Sequence, residues 1–99
     1  MSAKPYTYVT LSIDDDRSPR LGVSFHTPML QASTLMVGNE RPCLFLETRE
    51  AQVSVSPSGE GSITGQDVAT ARAIFNAAAR YLSDCERLHV PQPANEAAV

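Results

Sequence analysis

Between Val68 and Cys85 the apolar residues Val68, Ala71, Ile74, Phe75, Ala78, Leu82 and Cys85 recur at the spacing of one helix face, while Asn76, Arg80, Ser83, Asp84 and Arg87 hold the other. A helix written this way cannot stand alone in water, so whatever else the chain forms must supply a surface to cover it. The stripe is also wide. Ala77, Tyr81 and Leu88 flank it on one side and Ala79 on the other, more than one sheet contact hides. Ile74, Ala77, Tyr81 and Leu88 are therefore expected to meet a partner subunit. The alternative is that loops, or the segment from Met29 to Val37, cover this flank. Phe75 and Tyr81, about 120° apart on the wheel, are expected in different environments, Phe75 on the sheet and Tyr81 at the interface.

The signals at both helix ends are local. Thr64 with Asp67 three residues later imitates a capping box, and Pro91 stops the helix because it lacks a donor and clashes with the preceding turn. About 25 helical residues would span roughly 37 Å.

Upstream the period changes to two. Thr7, Val9, Leu11 and Ile13 alternate with Tyr8, Thr10 and Ser12, and Leu21, Val23 and Phe25 alternate with Gly22, Ser24 and His26, each the mark of a half-buried strand. The turn formers Asp14-Asp15-Asp16-Arg17-Ser18-Pro19 reverse the chain between them. Thr27-Pro28 breaks the pattern, and Met29 to Ser33 reads neither as helix nor as strand. Thr34-Leu35-Met36-Val37 is a short apolar run closed by Gly38-Asn39-Glu40-Arg41-Pro42. Cys43-Leu44-Phe45-Leu46 is apolar on both faces, as a central strand is. Val53 and Val55 form a last strand, paired with the previous one through a tight connection near Arg49-Glu50 that lacks the usual glycine.

The expected fold is α+β: an antiparallel sheet of four to five strands followed by one long C-terminal amphipathic helix. Residues 6–90 form a single domain, with residues 1–5 an N-terminal tail and residues 91–99 a disordered C-terminal tail. At 99 residues a chain has a small core, and apolar burial barely offsets chain entropy, so a second subunit would help.

Composition narrows the partners. The formal net charge of -3 and the scattered Lys and Arg residues disfavour nucleic acid, unless dimerisation gathers Arg17, Arg20, Arg41 and Arg49 into one patch. No apolar run reaches the roughly 18 residues of a membrane span, and Met1-Ser2-Ala3-Lys4-Pro5 does not open a signal peptide. A cytoplasmic setting with reduced Cys43 and Cys85 is expected.

Chemistry-bearing motifs are sparse. His26, Cys43, Cys85 and His89 include no close Cys pair, so a zinc site built from them is an alternative to ordinary core and surface positions. Gly59, Gly61 and Gly65 precede a helix but do not carry the spacing of a phosphate loop, and Glu60 and Asp67 would repel an anion there. Asp14 to Asp16 read as a solvated turn. No nucleophile with an evident base is present, and no cofactor is expected.

Ser18-Pro19-Arg20-Leu21 entering a strand, with Tyr81-Leu82 and Cys85-Glu86-Arg87-Leu88 closing a helix in a small acidic chain, resembles the BldB-type developmental regulators of streptomycetes. The resemblance implies a small, self-associating actinobacterial regulator without known catalytic chemistry, and it carries over no site residue. Together these readings point to a non-enzymatic regulatory or adaptor protein that works as a homodimer on an unidentified protein partner.

Overall fold

The computed structural model describes residues 4–90. It is α+β, as expected: five antiparallel strands, β1 (Tyr6–Ser12), β2 (Arg20–His26), β3 (Gln31–Val37), β4 (Arg41–Glu47) and β5 (Gln52–Val55), precede the helix α1 (Gly65–Leu88). The strands are parted into a two-stranded ribbon, β1-β2, and a three-stranded sheet, β3-β4-β5. The parting falls at Thr27-Pro28. There the Met29 amide donates to the Thr27 hydroxyl at 2.9 Å, a side-chain turn that removes a backbone donor from any ladder. By its internal contacts the chain divides into two units, Met1–Gly59 with all five strands and Glu60–Val99 with the helix. Lys4 and Pro5 lie outside the strands, and the expected disordered segment 91–99 lies outside the described residues.

In the ribbon, Tyr6 pairs with His26 and Ser12 with Arg20, and every residue between follows that register. Directly paired residues share a face. Thr7, Val9 and Leu11 therefore lie with Phe25, Val23 and Leu21 on an apolar face, and Tyr6 stacks on His26 at 4.4 Å on the other. Gly22 sits opposite Thr10, whose Oγ1 lies 2.8 Å from where a Cβ would stand, so a larger residue there would have to displace the threonine.

The three-stranded sheet confirms Cys43 to Leu46 as the middle of a central strand. It also turns the ambiguous Gln31-Ala32-Ser33 into strand, through pairing with Glu47, Leu46 and Phe45. Pro42 lies beyond the end of β5, where β4 is flanked on one side only and proline is tolerated. Gly38, at a φ of 67°, makes the turn into β4 in a conformation that favours glycine. Register places Ala32, Thr34, Met36, Pro42, Leu44, Leu46, Val53 and Val55 on one face, apolar but for a single hydroxyl. The other face mixes Leu35, Cys43 and Phe45 with Arg41, Glu47, Gln52 and Ser54, and on it Gln52 Nε2 donates to Glu47 Oε1 at 2.9 Å.

The connection into β5 has no glycine because a threonine does its work. Thr48 N–H donates to the Ala51 carbonyl at 2.9 Å while the Thr48 hydroxyl accepts from Glu50 N–H at 3.2 Å. Beyond β5, one Arg41 Nη2 donates to the carbonyls of Pro57 at 3.0 Å and Gly59 at 2.7 Å, tying the outgoing loop back to β4.

The helix starts where its sequence says. Asp67 N–H donates to Thr64 Oγ1 at 3.0 Å and Thr64 N–H to Asp67 Oδ2 at 2.9 Å, the reciprocal pair of a capping box. Asp84 forms an ion pair with Arg80 one turn earlier at 3.5 Å and accepts from Arg87 at 3.4 Å, on the polar face. These exposed pairs contribute little. The N-cap contributes more: Thr64→Ala is expected to lose about 1 kcal/mol of helix stability, read as a lower melting midpoint followed by circular dichroism at 222 nm.

Candidate functional site

The described residues offer one side chain that is buried, Cys43 at 7% exposure in the central strand. Its Sγ lies 3.2 Å from the Ser56 hydroxyl, and Leu35 faces it from β3. This is a structural position. Cys43 and Cys85 are both free thiols, the second exposed.

The expected zinc ligands do not gather. His26 stacks on Tyr6, Cys43 is engaged with Ser56, and among the described residues no three His, Cys, Asp or Glu side chains are grouped as they would be around an ion.

A cleft of about 490 Å³ opens between the Tyr6–His26 end of the ribbon and the β4–β5 turn, lined in part by Tyr6, Met29, Glu47, Arg49 and Glu50. Glu50 is tethered there: its Oε1 accepts from the hydroxyls of Thr7 and Thr48, both at 3.3 Å. Two hydroxyl donors on one carboxylate oxygen hold the side chain in place, which suits a strut between ribbon and turn. The residues lining the cleft include no cysteine, serine or histidine to act as a nucleophile or a base beside it. Sequence reasoning missed this cleft because its walls come from three separate stretches of chain.

The arginines weighed for nucleic acid are dispersed within one chain. Arg41 serves the loop after β5, and Arg17 and Arg20 stand at the closed end of the ribbon. Arg49 lies in the turn that Thr7 and Glu50 join to the ribbon's opposite end, and seven-residue strands put about 20 Å between those ends.

What remains is apolar surface. Val9, Leu11 and Leu21 on the ribbon are 58 to 64% exposed, and α1 has no buried residue. Ile74, Ala77, Tyr81 and Leu88 fall within an arc of about 60° on the helix, with Ile74 half-buried and the other three exposed. Phe75 and Tyr81 are 69 and 73% exposed. No helix among the described residues is long and apolar enough to cross a membrane.

Comparison with protein-family models, with curated proteins and with solved structures finds no match.

Proposed function

We propose that this chain is a small non-enzymatic regulatory or adaptor protein of the cytoplasm that acts by binding another protein and works as a homodimer. One observation carries the reading: Val9, Leu11 and Leu21 on the ribbon and Tyr81 and Leu88 on the helix are large apolar side chains more than half exposed. Contiguous apolar surface of this kind marks protein contacts, since leaving it in water forgoes about 25 cal/mol for each Å². The arc of Ile74, Ala77, Tyr81 and Leu88 is assigned to subunit contact, where an interfacial tyrosine buries its ring and leaves its hydroxyl at a polar rim. The developmental-regulator resemblance belongs to this same reading.

Sedimentation velocity over a concentration series tests the dimer. The expected result is twice the chain mass at tens of micromolar, and a strict monomer there removes the claim. Tyr81→Glu is expected to yield monomers that keep the parent's far-ultraviolet circular dichroism. Retention of the parent's mass by that variant would take the helix arc out of the interface. Capture of a specific protein on the immobilised chain tests the adaptor role.

A further inference from the structure

Within one chain the ribbon is the element least supported. Two antiparallel strands alone are marginal in water, and three or more with an apolar face are needed for a stable sheet. β1 pairs only with β2 among the described residues, so its far edge presents unpaired backbone groups. Natural sheets blunt such edges by shortness, charge or proline. β5 is four residues long and β2 carries Arg20, whereas β1 runs seven residues without a charge or a proline. β3 is equally long and uncharged, but it already belongs to a sheet of three.

The flanks of β1 select its occupant. Laid antiparallel on a second copy of itself about Val9, β1 pairs all seven residues: Tyr6 meets Ser12, Thr7 meets Leu11 and Tyr8 meets Thr10, so the apolar faces of both ribbons stay on one side. Continued two residues outward at either end, the register sets Lys4 of one copy opposite Asp14 of the other, opposite charges twice over. The same operation on β3, about Thr34, brings Met29 against Asn39, with no complementary charge.

We propose that β1 is a homodimerisation edge, joining two copies antiparallel about Val9 into a four-stranded sheet, β2-β1-β1-β2, closed at both ends by Lys4 and Asp14. The proposal rests on the homodimer reading above and adds a strand to the contact assigned there to the helix arc.

Disulfide trapping tests it in the full chain carrying Cys85→Ala, with the buried Cys43 left in place. Val9→Cys puts two thiols on the two-fold axis, where paired Cα atoms lie about 4.5 to 5.5 Å apart, within the span of a disulfide. Mild oxidation is expected to give covalent dimer at about ten times the yield of Thr34→Cys, the control on β3, on a non-reducing gel. In sedimentation, Lys4→Asp should weaken the dimer, and Lys4→Asp combined with Asp14→Lys should restore it. A dimer in which Val9→Cys cross-links no better than Thr34→Cys overturns the β1 pairing and leaves the homodimer standing. A chain monomeric throughout overturns both.

Discussion

Cys43→Asp is expected to abolish the folded three-stranded sheet, whereas Cys43→Ser loses only about 1 kcal/mol. Cys43 is 7% exposed, sits at the middle of the central strand and has the Ser56 hydroxyl 3.2 Å from its sulfur. A serine keeps the volume and can bond that hydroxyl. An aspartate places a charged carboxylate in a position only 7% exposed, beside the Ser56 hydroxyl. The penalty for an unpaired buried charge is several kcal/mol, comparable with the whole stability of a small domain. Circular dichroism and urea titration of the two variants beside the parent make the check. An aspartate variant that melts with the parent would mean that water reaches this position in the folded protein.

The legible parts of this fold were those decided by near neighbours. Alternation along Thr7 to Ile13 and Leu21 to His26 is a property of each strand alone, and the observed ribbon keeps the expected faces. Thr64 and Asp67 are three residues apart, so their reciprocal bonds could be read directly from spacing. Gln31-Ala32-Ser33 could not, because their strand conformation comes from pairing with β4. The turn at Thr48 to Ala51 showed no glycine, and its stabilising device is a hydroxyl that also belongs to many ordinary loops. Nor did the apolar run of β4 reveal which of its four residues, Cys43 to Leu46, would be the buried one among the described residues. For the site, the helix wheel located the arc of Ile74, Ala77, Tyr81 and Leu88. A wheel describes one helix, however, and what covers an arc is a matter of surfaces distant in sequence.

Phe75→Ala separates the two ways of covering that helix. If Phe75 packed on its own chain's sheet, as the stripe alone suggests, truncation would lose about 3 to 5 kcal/mol of folding stability at every protein concentration. If the ring instead stays 69% exposed, truncation should change the single chain's own stability by about 0.5 kcal/mol or less. Phe75 lies about 120° from Tyr81, so as an anchor for the other copy its ring would make a second contact, apart from the arc of Ile74, Ala77, Tyr81 and Leu88. Removing such an anchor weakens association by about 2 kcal/mol or more, roughly a thirtyfold rise in the dimer dissociation constant. The expected result is therefore a variant with more monomer in sedimentation equilibrium. Its melting midpoint should fall below the parent's in concentrated solution and converge on it as both are diluted, since dimer stability depends on protomer concentration. A deficit of equal size at all dilutions, with the dissociation constant unchanged, would place Phe75 in the core of its own chain and leave the helix face to be covered from within.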